Sequence, residues 1–208
     1  MSIQNELKTF IYAIIDYVKE LLHLEPKKTS YVRPVLISLG LLVVAAGGYL
    51  GYRWYRISAE QQAQKMFSDY VKDFMLAQQS NKPEEWQRVE SLFAYGYNQH
   101  RSTNLAPYFL ALEAETQLKQ KKYHEALATL NTLVALVPSG SEMASLFKTK
   151  RALLELDSQD EAICSMGLQQ LVSLARDKSY HYNDWAMFYL GEYYWAQNNV
   201  QEAKKIWQ

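Results

Sequence analysis

Residues 110–138, LALEAETQLKQKKYHEALATLNTLVALVP, decide the fold. Ala114 is followed after twelve residues by Ala126, and after another twelve by Pro138, with Tyr123 just before the second half. Small residues at such an interval let two antiparallel helices approach closely, and proline, which lacks an amide donor, ends the second helix. The segment is therefore expected to fold as a tight helical hairpin, a unit that occurs in arrays.

A second copy occupies residues 184–208, DWAMFYLGEYYWAQNNVQEAKKIWQ. Gly191 and Ala203 repeat the twelve-residue interval, Leu190 and Tyr194 flank the small position, and Asn198-Asn199 makes the turn. Both segments are similar to a tetratricopeptide repeat. Between them, 147–156 and 160–174 read as a degenerate hairpin around Ala162. The landmarks Ala126, Ala162 and Ala203 then stand 36 and 41 residues apart, so the array is irregular. The chain stops at Trp207-Gln208, part-way along the second helix of this unit, and the domain is expected to be incomplete at its C-terminus.

Working upstream, residues 57–79 contain neither Gly nor Pro and read as a helix that Asn81, Lys82 and Pro83 stop. A second helix from Glu84 to about Tyr97 carries Trp86, Val89, Leu92 and Phe93, and the polar run Asn98 to Asn104 closes it. The two are expected to pair as an antiparallel hairpin. No stretch shows the alternation of β-branched residues that argues for a sheet, so the fold class is all-α.

Residues 34–52, PVLISLGLLVVAAGGYLGY, are nineteen residues without a charge between Arg33 and Arg53. At 1.5 Å per residue a helix of this length spans roughly the 30 Å hydrocarbon core of a bilayer, which predicts a single transmembrane helix. Tyr31 and Arg33 on one flank, with Tyr49, Tyr52, Arg53, Trp54, Tyr55 and Arg56 on the other, are the aromatic and basic types that anchor at membrane interfaces. More than thirty residues precede the run, which argues against a cleaved signal. Gly40, Gly47, Gly48 and Gly51 suit close helix packing in the bilayer.

Before the span, Ile3, Leu7, Phe10, Ile11, Ile14, Val18, Leu21 and Leu22 recur at spacings of three and four, the pattern of an amphipathic helix for lipid or a partner. Pro26, Lys27 and Lys28 end it. The expected organisation is an amphipathic helix and basic linker over 1–33, a transmembrane helix over 34–52 and a tetratricopeptide-like helical-hairpin solenoid over 53–208. Near the span, four basic residues before it against three after it favour a cytoplasmic N-terminus only slightly.

Composition excludes several function classes. Twenty-two basic and twenty-two acidic side chains balance to zero net charge, so no field attracts nucleic acid. Sixteen Tyr and five Trp supply core or protein-binding surface. The single cysteine, Cys164, has no partner within the chain and reads as a small buried apolar residue. The four histidines stand far apart without zinc-ligand spacing, and no phosphate loop or nucleophile elbow is present. Asp157, Asp160 and Glu161 precede a helix and suit capping better than acid–base work. Neither enzyme activity nor a cofactor nor a metal is expected.

On the helix from Asp184, the repeat pattern turns Met187, Leu190, Gly191 and Tyr194 to the core. Trp185, Phe188, Glu192 and Trp195 fall on the adjacent face, which in tetratricopeptide-like arrays lines the groove. Large rings there suit an extended or helical peptide.

The order of features, a short N-terminal segment, one span leaving through GYRWYRISAEQQAQKMFSDYV (51–71) and an irregular repeat domain, resembles the YfgM-type ancillary subunit of the bacterial Sec translocon. The likeness is most specific at Gly51 to Trp54 and continues into the Ala- and Gln-rich helix from Ala59. The N-terminal amphipathic helix is longer than in that family. The resemblance implies a single-pass bacterial inner-membrane protein with a cytoplasmic N-terminus and a periplasmic domain. It also implies partners, the Sec translocon subunits and a membrane-anchored periplasmic chaperone of the prolyl-isomerase class, and a role in handing on exported chains. The alternative is a scaffold of another envelope assembly, such as a secretion or pilus machine.

Overall fold

A computed structural model describes Tyr12, Ala13, Asp16 and residues 29–208, with the side chains of 29–34, 36 and 37 outside the description. The amphipathic stretch expected over 3–22 lies outside the described residues apart from Tyr12, Ala13 and Asp16, which are helical. The described residues form eight helices and no strand: α1 (Thr29–Ser80), α2 (Pro83–Gln99), α3 (Ala106–Lys119), α4 (Tyr123–Leu136), α5 (Glu142–Leu156), α6 (Glu161–Arg176), α7 (Asn183–Ala196) and α8 (Val200–Trp207). The chain divides into two compact units, residues 1–54 and 55–208.

In the first unit the uncharged run is helical throughout. Val35, Leu41, Leu42, Val43, Val44, Tyr49 and Tyr52 are exposed, and a Cβ added at any of the four glycines of the run would meet nothing within 4 Å. Among the described residues no helix is long and apolar enough to cross a membrane. The expectation of a spanning helix differs from this because it counts Pro34, Leu36 and Ile37, whose side chains fall outside the description.

The second unit is a row of antiparallel hairpins. Residues of α1 beyond 55 pair with α2, then α3 with α4, α5 with α6 and α7 with α8, and each pair packs on the next. The turns are sharp. Asn81, Lys121 and Asn198 take positive φ of 51°, 60° and 63° in three of them. Asn tolerates this left-handed backbone and closes a helix end well, whereas Lys bears steric strain there. Ser141 caps α5 by accepting from the Ala144 amide at 3.1 Å, and Asp160 caps α6 by accepting from Ala162 and Ile163 at 2.9 and 3.3 Å.

Small residues set the distance within the last three pairs. Ala114, Ala126 and Ala203 are fully buried and Gly191 is buried, as their spacing predicts. The middle hairpin is a correction. Ala162 is exposed, and the position matching Ala126 and Ala203, fourth in its helix, is Cys164, twelve residues after the fully buried Ala152. Cys164 itself is only partly buried. Ala126, Cys164 and Ala203 stand 38 and 39 residues apart, so these three hairpins keep a more even period than Ala162 suggested. The tightest approach comes one turn later. A Cβ on Gly167 would lie 2.7 Å from the Ala152 carbonyl oxygen and 2.6 Å from the Leu156 nitrogen, so only glycine admits this packing.

The first hairpin closes on rings instead. Phe67, Tyr70 and Phe74 of α1 meet Trp86 and Phe93 of α2 and Phe109 of α3, with centroids 5.2–6.5 Å apart and mostly edge-on. Edge-to-face pairs of this kind add about 0.5–1.5 kcal/mol each beyond the area they bury. Gly96 makes room for Phe109, whose ring would lie 2.4 Å from an added Cβ. Two further apolar clusters centre on Leu110, Leu133 and Ala144, and on Ala152, Leu171, Ala186 and Leu190.

Candidate functional site

The last hairpin carries the ring-rich surface. Along α7, Ala186, Leu190 and Gly191 are buried and Met187 and Tyr194 are partly buried against the hairpin. That orientation leaves Trp185, Phe188 and Trp195 each about half exposed, at 53, 52 and 52%, with Glu192 exposed between them. Residues at these spacings share one helix face, so the four predicted residues form a single stripe.

Trp207 of α8 joins the stripe and was not foreseen. Its indole lies across Gly191, where an added Cβ would be 2.1 Å from Nε1, and its N–H donates to the Phe188 carbonyl at 3.3 Å. The Trp207 and Trp195 ring centroids are 6.2 Å apart. Gly191 was legible as a landmark; the missing step was that a glycine on the outer turn of α7 gives a large ring sixteen residues later a place to lie. Tyr182 meets Trp185 at 5.5 Å and Phe188 meets Tyr189 at 5.4 Å, which braces the rings from the side. Side chains held in this way lose little rotamer freedom on binding.

The chain belongs to the tetratricopeptide repeat-like domain family. The match to that family covers residues 29–208 and so takes in the uncharged run as well as all four hairpins. No curated protein and no solved structure is significantly similar to the chain. The family's fold is typically a non-enzymatic scaffold for protein–protein interaction, and the stripe on α7 has the chemistry of such a surface.

The repeat register gives each α7 residue a counterpart. Trp185, Phe188, Glu192 and Trp195 correspond to Tyr108, Ala111, Glu115 and Leu118 on α3, and to Leu146, Thr149, Leu153 and Leu156 on α5. Glu115 is paired with Lys150 of α5. Glu192 makes no hydrogen bond or ion pair among the described residues. At these register positions the bulky rings are thus concentrated on the last hairpin, around a carboxylate that has no partner among the described residues.

Of the expected membrane-interface residues, Tyr49, Tyr52, Trp54 and Tyr55 are exposed, and Arg53 is exposed beside them. Tyr31 and Arg33 are helical, with side chains outside the description. Arg56 has a protein partner, donating to the Ser102 carbonyl at 2.6 Å, and one turn on Glu60 accepts from the Asn104 amide at 2.7 Å. Both contacts tie the loop between α2 and α3 to α1.

Among the described residues no group of His, Cys, Asp and Glu is arranged to hold a metal ion. His100 is buried, with its ring stacked on Phe109 at 6.2 Å and Nε2 without a partner. Burial pushes the Glu155 carboxyl above its ordinary range, against the pull of Arg151 and a hydrogen bond from Gln170. Glu155 therefore works as a structural link. Gln170 reaches it at 2.6 Å, while Arg151 donates to Gln170 and to Asn131 of α4.

Proposed function

We propose that the chain is a non-enzymatic, membrane-anchored interaction protein of the bacterial inner membrane, with its N-terminus in the cytoplasm and its repeat domain in the periplasm. The domain associates with Sec translocon subunits and a membrane-anchored periplasmic chaperone and helps hand on exported chains. The observation that carries the binding role is the braced stripe Trp185, Phe188, Trp195 and Trp207 around the unpartnered Glu192. Its chemistry suits a segment of polypeptide with apolar side chains for the rings and a Lys or Arg for the carboxylate.

Support for the anchor comes from the uncharged run 34–52 and from the exposed apolar side chains along it, an arrangement that lipid stabilises and water does not. The family match reaches back across that run to residue 29, which ties it to the repeat domain as one inherited unit. The Sec-associated role rests on the exit sequence Gly51 to Trp54 and the order of features around it.

Photo-crosslinkers placed singly at positions 49–56 of the full-length protein in native membranes test the proposal. Adducts to translocon or chaperone subunits are expected. Adducts confined to secretion, pilus, outer-membrane or division proteins would assign the scaffold to a different envelope assembly.

A further inference from the structure

The connection between α2 and α3 and the connection between α4 and α5 border one cavity of about 360 Å³, within the size range of small-ligand sites. Tyr108, Leu136, Pro138 and Met143 make its apolar walls, and Tyr108 and Leu136 are exposed, at 45 and 42%. Arg101 is the only charged side chain among the described residues that line it. A larger cavity of about 750 Å³, between the α3–α4 and α5–α6 turns, instead mixes Lys121 and Lys122 with Glu125, Asp157 and Asp160. The smaller cavity is therefore the one with apolar walls and charge of a single sign.

Arg101 is held in place by its own neighbours. Its guanidinium donates to the Asn98 side-chain oxygen and lies 5.2 Å over the Tyr97 ring. It makes no ion pair among the described residues, so most of its five N–H donors remain for an anion. The loop that carries it is fastened at both ends. The Thr103 amide and hydroxyl donate to the His100 carbonyl at 3.0 and 2.7 Å, and Arg56 and Glu60 of α1 hold Ser102 and Asn104. A braced cation without a counter-ion, set beside exposed apolar walls, matches an anion that carries hydrocarbon.

The position of the loop selects among such anions. Ser102, which lines the cavity, accepts at its carbonyl from Arg56 at 2.6 Å. Arg56 follows Tyr52, the last residue of the uncharged run, by four residues, or about 6 Å along a helix. The polar headgroup layer is about 5–7 Å deep on each side of the hydrocarbon, so with the run in lipid Arg56 lies at headgroup depth. We infer that this cavity takes the headgroup of an anionic phospholipid. Arg101 holds the phosphodiester, Tyr108, Leu136 and Met143 cover the first methylenes, and the rest of each acyl chain stays in the bilayer. The inference rests on the membrane-anchored reading given above, and it gives the first two hairpins a hold on lipid that does not pass through α1.

The test uses full-length protein in vesicles of phosphatidylcholine, with and without phosphatidylglycerol, and a photoreactive residue at the exposed Ser102, whose carbonyl rather than side chain meets Arg56. Mass spectrometry should find phosphatidylglycerol adducts several-fold above those to phosphatidylcholine. Arg101→Gln should lower them several-fold, and Arg101→Lys should keep most of the yield. Leu136→Glu, at an exposed wall position away from the Asn98 and Tyr97 contacts, should lower them as well. Equal adducts to the two lipids, an unchanged yield in Arg101→Gln or in Leu136→Glu, or loss of the adduct to soluble glycerol phosphate would overturn the inference, the last by assigning the cavity to a free phosphate. Retention in native membranes through an alkaline carbonate wash, with no phosphatidylglycerol adduct, would overturn the headgroup site alone. Release by that wash would overturn the anchored reading and this inference together.

Discussion

The first and third hairpins solve one packing problem with opposite materials. At the rung where α3 and α4 place Ala114 against Ala126, the first hairpin has Phe74 and Trp86, with ring centroids 5.4 Å apart. The third has Ala152 and Cys164, and one turn later bare backbone meets Gly167. Ala77 and Val89, both fully buried, belong to the same cluster as these rings. What the fold conserves is the twelve-residue separation across the turn, while the side chains on each rung set how far apart the helices stand. A pair spaced by rings should fail by cavity, and a pair spaced by glycine should fail by overfilling.

The largest effect is expected from emptying the ring cluster. Phe93 is fully buried and meets Phe67, Tyr70, Phe74 and Phe109, so Phe93→Ala should lower unfolding stability by about 3–5 kcal/mol in a denaturant titration. An unchanged midpoint would mean that the rings do not space this hairpin. Overfilling comes next. Gly167→Ala sets a methyl against the Ala152 carbonyl and the Leu156 nitrogen and should cost about 1–3 kcal/mol, although alanine is the better helix former. A stabilised variant would show that α5 and α6 stand farther apart than described.

The smallest expected effect has the opposite sign. Lys121 adopts a φ of 60°, a conformation glycine takes without strain. Glycine's greater freedom in the unfolded chain offsets part of the relief, so Lys121→Gly should raise stability by about 0.5 kcal/mol, read as a small rise in melting temperature. The corresponding change at Asn198, a residue that already tolerates this backbone, should gain less.

The same contrast explains what the sequence revealed. The second and fourth hairpins were legible because both residues of their rungs are Ala or Gly, and Asn81 and Asn198 mark turns by chemistry that requires no partner. The third was misplaced by two residues because Cys164 does not look like a spacer and Ala162 does. The ring cluster joins three helices through Phe67, Phe93 and Phe109, and a reading of one helix at a time finds its members without their contact. On α7 the stripe followed from helical periodicity alone, whereas Trp207 reaches it from the next helix.

If the outer face of α7 receives a protein partner, a crosslinker at Phe188 should capture it. A photoreactive residue there, in the full-length protein in native membranes, is compared with one at the exposed Lys204 on α8 of the same hairpin. Discrete protein adducts are expected from position 188 that are lost when Trp185 and Trp195 are changed to Ala, with few from position 204. Equal adducts from both positions, or adducts from 188 that survive removal of the neighbouring rings, would contradict it.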